Sequence, residues 1–137
     1  MKRSALIAVL LLALCIAGGC QKSQEQLVRD QVNAMHEVTA VLESIQDDAS
    51  AQRALPKLEK AAARLKAAND AARRSQPKGG DPNKAFEKLN DPKVQAHVRE
   101  LMDAGLKLVG AQLQAIQKAP GKADQIQAVL RKAGMSG

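Results

Sequence analysis

The stretch AQRALPKLEKAAARLKAANDAA, residues 51–72, decides the fold class. Its apolar and small residues recur three or four positions apart, which is the spacing of one face of an α-helix. Most of them are alanine, the residue with the highest helix propensity, so the stretch predicts an amphipathic helix with an alanine-rich contact face. The members of this face are Ala51, Ala54, Leu55, Leu58, Ala61, Ala62, Leu65, Ala68 and Ala72.

Pro56 complicates the start of this helix. A proline beyond the first turn removes a backbone hydrogen bond, so we expect a short turn at residues 50–55 and a regular helix from Pro56 onward. One continuous helix kinked at Pro56 is the alternative. The helix should end at residues 75–80, SQPKGG, which form the clearest internal break.

A second amphipathic helix is predicted upstream. Ser23 followed by Gln26 is a capping-box pattern, which places a helix start at Ser23. The apolar spacing continues to about Asp47, and the turn is predicted at residues 47–50. The face predicted to point inward consists of Val28, Val32, Met35, Val38, Thr39, Leu42 and Ile45.

Two Asp-Pro pairs mark helix starts downstream, because aspartate caps a helix and proline fits its first position. The pair at 81–82 opens a short helix to about residue 89, and the pair at 91–92 opens a long one that ends at residues 119–121. A short terminal helix is predicted at residues 123–133. The face of the long helix expected to point inward consists of Val94, Val98, Leu101, Gly105, Leu108, Val109, Leu113 and Ile116.

The fold class that these patterns predict is all-α. We expect one domain over residues 23–137, an antiparallel bundle of three long helices with one or two short helices. The sequence contains no Trp or Tyr and a single Phe, Phe86, so the core must be built from aliphatic residues and much alanine. Such a thin core makes a homo-oligomer or a partner helix an expected interaction.

The N-terminal residues have the layout of a secretory signal. Lys2 and Arg3 precede the apolar run ALIAVLLLALCI, residues 5–16, and small residues follow at 17–19. A membrane-spanning helix needs about 20 apolar residues, so this run is too short to remain as a span.

The sequence Ala17-Gly18-Gly19-Cys20 at the end of this signal resembles the lipobox of bacterial lipoproteins. The resemblance implies removal of residues 1–19 and a diacylglyceryl group, with acyl chains such as palmitate, on Cys20. Residues 20–22 would then form a lipidated N-terminus and short tether, and Cys15 would be absent from the mature protein. Gln21, where Asp would resemble an inner-membrane retention signal, favours the outer membrane, facing the periplasm or the exterior. An ordinary secretory signal is the alternative.

The charge of the chain suggests anionic partners. The formal net charge is +7, and it falls to +5 without Lys2 and Arg3. In an exported, anchored protein such a charge points to anionic lipid or envelope polymers and not to nucleic acid. The basic residues on the second helix, which an ordinary solvated surface would also explain, are Lys57, Lys60, Arg64, Lys66, Arg73 and Arg74.

Candidate catalytic groups are few, and no catalytic residue or metal site is predicted. The only histidines are His36 and His97, and the sequence has no H-E-x-x-H, no C-x-x-C-H, no G-x-S-x-G and no phosphate-binding glycine loop. Isolated histidines at the edge of an apolar stripe are usually structural. We therefore expect a protein that is not an enzyme, with no cofactor.

One further resemblance gives an alternative function. Residues 35–78 resemble the first helical hairpin of periplasmic b-type cytochrome bundles, in which a Met on the first helix and a His on the last helix hold haem. Met35 matches the first ligand, but the last helical segment, DQIQAVLRKAG, contains no His, so His97 would have to supply the second from a different helix. The sequence thus favours a structural or interaction lipoprotein, with haem or metal binding by Met35, His36 and His97 as the alternative.

Overall fold

The computed structural model describes residues 23–75 and 91–135. Within these two ranges the chain is helical and contains no strand, which confirms the predicted all-α class. The signal, Cys20 and the short helix predicted at residues 81–89 lie outside the described residues. The elements are α1 (Gln24–Glu43), α2 (Asp48–Arg74), α3 (Pro92–Lys118), a 3₁₀ turn (Pro120–Lys122) and α4 (Ala123–Lys132).

The predicted starts of α1 and α3 are confirmed by their caps. Ser23 Oγ accepts a hydrogen bond from the Gln26 N–H at 3.3 Å. Asp91 accepts one from the Lys93 N–H at 2.9 Å, and a proline occupies the first turn. Each cap satisfies a backbone donor that has no partner inside its helix, so polar side chains fix where these helices begin.

The turn between α1 and α2 differs from the prediction. α1 ends at Glu43, several residues before the expected end near Asp47, and α2 begins at Asp48. Asp47 forms a capping box with Ser50: the Ser50 N–H donates to Asp47 Oδ1 at 2.7 Å, and the Asp47 N–H donates to Ser50 Oγ at 2.9 Å. This reciprocal cap starts the helix earlier than the apolar pattern alone indicates.

The predicted turn at residues 50–55 is wrong, and the helix is continuous through Pro56, as the alternative predicts. The kink at Pro56 stays a prediction. Ala51 and Ala54 are buried on the same face as Leu58, so packing holds this segment in the helix. Pro56 leaves the carbonyl of Gln52 without its helical donor. Both residues are exposed, so water can hydrate that carbonyl.

α1 is the element that joins the bundle. It packs against both α2 and α3, while α4 packs against α2. The helices approach through small residues, because alanines supply a large share of the buried positions. The largest fully buried side chains are Leu42, Ile45, Leu58, Leu65, Ile126, Leu130 and Val38.

The buried face of α1 is rotated slightly from the prediction. Gln31 and Ala34 are buried, whereas Val32 and Met35 are only half-buried. Gln31 can occupy the interface because its Nε2 donates to Asn69 Oδ1 on α2 at 3.0 Å. A buried amide with a partner avoids most of the desolvation cost that an unpaired one would carry.

The predicted inward face of α3 is partly wrong. Val94, Leu101 and Leu108 are buried as expected, but Val109 and Leu113 are exposed. The helix instead buries Ala104, Ala111 and Ala115 beside its leucines. Small residues let α3 approach its neighbours closely, so the face with the alanines packs inward and the bulkier one points outward.

α4 completes the fold and ends in a Schellman motif. Gly134 adopts a positive φ of 83°, which glycine reaches without the steric cost of a side chain. Its N–H bonds the Arg131 carbonyl at 3.0 Å, and the Met135 N–H bonds the Leu130 carbonyl at 3.1 Å. Met135 then packs against the core.

Candidate interaction surfaces

The proposed anchor lies immediately before the first helix. Cys20 is outside the described residues, and Ser23, three positions later, already caps α1. Only Gln21 and Lys22 separate the two. A lipid group on Cys20 would therefore be joined to the bundle by a tether of two residues, and its presence stays a prediction.

Met35 and His36 lie in the middle of α1. Consecutive helical residues are rotated by about 100° around the helix axis, so their side chains leave the helix in different directions. Met35 is half-buried and packs against the core, whereas His36 is exposed. The two therefore do not form a single pair of ligands, and their assignment as cofactor-binding residues stays a prediction.

His97 lies in the second turn of α3. Its side chain is 22% exposed, its Nδ1 is buried with no hydrogen-bond partner among the described residues, and the nearest carboxylate oxygen of Glu100 is 3.9 Å away. Glu100 belongs to the same helix and is itself well exposed. Among residues 23–75 and 91–135, no group of three or more His, Cys, Asp and Glu side chains is arranged to hold a metal ion.

The basic surface of α2 is exposed as the sequence predicts. Lys57, Lys60 and Arg64 all lie in solvent, three or four positions apart on one side of the helix. Arg64 Nη1 donates to both carboxylate oxygens of Glu37 on α1, at 2.9 and 2.8 Å. Arg64 is therefore partly neutralised by α1, and Lys57 and Lys60 present their charges to solvent.

The C-terminal half of α2 neutralises part of its own charge. Lys66 Nζ lies 2.6 Å from Asp70 Oδ2. This hydrogen bond holds the pKa of Asp70 below its ordinary value, and Arg74 and Arg73 add a smaller effect in the same direction. Exposed pairs of this kind add little stability, and their main effect is on the surface charge.

The outer face of α3 is the surface that sequence analysis missed. We use this name for Met102, Leu106, Val109 and Leu113, which are 47%, 69%, 51% and 58% exposed. They are the large apolar side chains that stand out in solvent within the described residues. The signal was present in the sequence, because α3 is apolar around more than half of its circumference, too wide a stripe for one buried face.

A polar corner holds the end of α3 against the start of α2. The Gly121 N–H donates to Asp48 Oδ1 at 3.1 Å, and Lys118 Nζ donates to Gln46 Oε1 at 3.1 Å. A side chain at position 121 would require Asp48 to move, because a Cβ built there would lie 2.5 Å from Asp48 Oδ2. The corner adds two exposed polar contacts to the packing of α3 against α1.

Comparison with known proteins gives no relative. No protein-family model, no curated protein and no solved structure matches the chain. Within the part of the chain that the structure describes, no helix combines the length and the apolar character required to cross a membrane.

Proposed function

We propose that this protein is a lipid-anchored envelope lipoprotein whose helical bundle acts as a structural or interaction module. The observation that supports it most strongly is Cys20, placed directly after three small residues and the apolar run at 5–16. The N-cap of α1 at Ser23, three residues beyond this cysteine, is compatible with cleavage there. Two or more acyl chains on Cys20 would hold the protein stably to a bilayer, which one chain does only marginally.

We further propose that the three long helices run antiparallel in chain order. Gln31 meets Asn69, and Glu37 meets Arg64, so later residues of α1 contact earlier residues of α2. Lys118, at the end of α3, lies against Gln46, next to the start of α2. These contacts support an up-down-up order in which α1 and α3 share one direction.

The surface that we propose for contact with anionic lipid or an envelope polymer is centred on Lys57 and Lys60. α2 carries seven basic residues against three acidic ones. Arg64 lies beside the two lysines but is bound to Glu37. Each Lys or Arg near an anionic surface contributes roughly 1 kcal/mol, so a small cluster can orient a protein that a lipid already holds at the membrane.

The anchor is tested by the intact mass of the protein isolated from membranes. We expect wild type and Cys15→Ala to share a mature mass that begins at Cys20 and includes acyl chains. Cys20→Ala should lose the lipid mass. An unmodified cysteine in a membrane-extracted wild-type protein, or a retained signal, would refute the anchor.

The lipid contact is tested by labelling lysines with an amine-reactive reagent on protein reconstituted into vesicles. Lys57 and Lys60 should be protected in vesicles containing phosphatidylglycerol and labelled fully in phosphatidylcholine vesicles. Lys93 and Lys107 on α3 are exposed and serve as internal controls. High salt should abolish the difference, because surface charges are screened. Equal labelling of Lys57 and Lys60 in both vesicles would refute the contact.

The second candidate function is haem or metal binding. The observation that favours it is the buried Nδ1 of His97, which has no hydrogen-bond partner among the described residues. Protein purified from its native envelope would then show a Soret band that is lost in His97→Ala and in Met35→Ala. The absence of visible absorption, together with no bound metal by elemental analysis, would eliminate this function.

A further inference from the structure

The outer face of α3 is a continuous apolar ridge. Met102, Leu106, Val109 and Leu113 are spaced four, three and four apart, which places them within about 60° of one another around the helix. Viewed down the helix axis, none of the six charged residues of α3 falls within the arc that these four side chains occupy. Together they expose on the order of 400 Å² of apolar surface, a size at which a patch on a monomer commonly marks an interaction site.

The ridge has an internal symmetry in the sequence. From Met102 to Leu113 the chain has its exposed large apolar residues at the first, fifth, eighth and twelfth positions and glycines at the fourth and ninth. The pattern is the same in both directions around a midpoint between Lys107 and Leu108. A surface of this kind is complementary to itself after a half-turn, which is the requirement of an isologous dimer interface.

We propose that two copies of this chain associate through the outer face of α3, with the two α3 helices antiparallel and a two-fold axis between Lys107 and Leu108. In this register Leu106 lies opposite Val109 of the second copy. Met102 lies opposite Leu113 of the second copy. Each of the four exposed side chains then meets a large apolar partner, as in the layers of an antiparallel coiled coil.

The two glycines permit a close approach of the helices. Gly105 and Gly110 lie on either flank of the ridge, and a Cβ built at either position meets nothing within 4 Å. The flanks are therefore open, and the second helix can settle onto the ridge without steric obstruction. Glycine costs helix propensity, so two glycines in one exposed helix need a compensating reason, and close approach supplies it.

The charges favour the antiparallel arrangement over a parallel one. A parallel pair in register would place Arg99 opposite Arg99 of the second copy at the edge of the ridge, where like charges repel. The antiparallel pair places Arg99 beside Ile116 of the second copy, and the apolar stem of Arg can pack there. In an antiparallel pair the two helix dipoles also point in opposite directions, so that opposite partial charges lie side by side.

The expected association is weak. The four side chains from each copy would bury about 800 Å² in total, and Val98 and Ile116, which are half-buried, add to it. Specific complexes of this size are at the low end of the known range. Confinement of the protein to a membrane would raise its local concentration, but the interface itself does not require Cys20 or its lipid.

The proposal is tested by disulfide cross-linking of the full chain in membranes. Two copies with different affinity tags, both carrying Cys15→Ser, are co-expressed with one new cysteine each. We expect cross-links between Leu106→Cys and Val109→Cys, and between Met102→Cys and Leu113→Cys. The cross-linking yield should be lower when both copies carry the new cysteine at an identical position. Copies without a new cysteine control for Cys20.

A charge on the ridge supplies the second measurement. Leu106→Arg should reduce the cross-link between Met102→Cys and Leu113→Cys by about tenfold or more, because the charge would be buried in the interface. Gln114→Arg adds the same charge on an exposed site of α3 away from the ridge and should leave the yield unchanged. Both sites are exposed, so the fold is retained, which the helical content checks.

Three outcomes would overturn the proposal. No cross-link in either mixed pair would mean that the ridge is covered by lipid, by another protein or by another part of the chain. Stronger cross-links between identical positions would mean a parallel pair. A cross-link that persists in Leu106→Arg would mean random collision. The same experiment in a Cys20→Ala background separates this proposal from the anchor, because the loss of lipidation leaves the preferred pairs the same.

Discussion

Leu106 and Leu108 lie two positions apart on α3 and have opposite environments. Leu108 is 3% exposed and belongs to the core, whereas Leu106 is 69% exposed. Two positions on a helix are separated by about 200°, so the same residue type is presented to the interior and to solvent. The comparison shows that burial in this bundle is decided by the neighbours on each face of the helix, and hydrophobicity alone does not decide it.

The neighbours explain why one face packs and the other does not. Leu108 is flanked along the inner face by Ala104, Ala111 and Ala115, whose small side chains bring the helix close to α1. Leu106 is flanked by Met102, Val109 and the open sides of two glycines. The inner face therefore stabilises the monomer, and the outer face is available for association between molecules.

The largest expected effect on stability is the difference between two single truncations, one at each of these leucines. Leu108→Ala should lower the free energy of unfolding by about 2–5 kcal/mol, because it leaves a cavity in the core. Leu106→Ala should change it by less than about 0.5 kcal/mol in the dilute monomer. Thermal unfolding followed by far-UV circular dichroism measures both. Equal losses of unfolding free energy in the two variants would contradict the difference in burial between the two leucines.

A smaller effect is expected at the polar corner. Gly121→Ala should cost about 0.5–1.5 kcal/mol, because the new methyl group displaces the Asp48 side chain and breaks its bond to the Gly121 N–H. The steric cause is isolated by a double-mutant cycle with Asp48→Ala. In the Asp48→Ala background, Gly121→Ala should have little further effect on denaturant unfolding. Additive losses would argue against this contact as the cause.

Gly105 lies beside the outer face of α3, and its substitution by alanine should increase the stability of the monomer, in contrast to that of Gly121. Gly105→Ala is expected to raise the free energy of unfolding by about 0.5–1 kcal/mol, because alanine is the better helix former and its methyl group meets nothing. The same change should weaken association, because it adds a methyl group to the flank that the second copy approaches. Unfolding and cross-linking measured on one variant test both signs. A destabilised monomer would contradict the open space at this position.

The smallest effect concerns pH. The Ser50 backbone N–H, and then the Ser50 side chain, hold the pKa of Asp47 below its ordinary value of 3.8, and Lys66 does the same for Asp70. Their contribution to stability is therefore present above pH 3.8 and is lost as the pH falls through the lower folded values. Asp47→Asn and Asp70→Asn should reduce this acid sensitivity in a pH series of thermal unfolding.

The ridge on α3 should not share that pH dependence. Its four large side chains carry no titratable group, so cross-linking between copies should stay constant over the pH range in which the monomer remains folded. Cross-linking that follows the acid titration would show that carboxylates contribute to the interface. In that case the apolar ridge would not be sufficient to explain association.

The helical elements could be predicted from short-range sequence signals. Ser23 and Asp91 are caps that act within three residues, so their helix starts were correctly predicted. The start of α2 differs from the prediction because the Asp47 cap and the burial of Ala51 outweigh the helix-breaking tendency of Pro56. The capping box with Ser50 was itself a short-range signal, and it could have been recognised.

The exposed ridge could not be located from the sequence in the same way. Val109 and Leu113 fit an inward stripe as well as Leu108 does, and only the packing of α1 against the alanine face decides which of them is buried. Likewise, the corner at Gly121 depends on Asp48, 73 residues earlier, and no local pattern identifies that pairing. Cys20, Met35, His36 and His97 remain sequence-based predictions about function.

The hydrogen bond between buried Gln31 and half-buried Asn69 has a consequence for how α1 and α2 are aligned. The buried face of α2 consists of five alanines and two leucines, so successive turns of α2 present similar surfaces to α1. A slip of one turn would separate the two amides and leave Gln31 without a partner in an apolar environment. One hydrogen bond thus selects a single alignment, in the way that a polar residue fixes the register of a coiled coil. We expect Gln31→Leu with Asn69→Leu to broaden the amide NMR spectrum through exchange between alignments, and a single sharp set of resonances would show that alanine packing alone is sufficient.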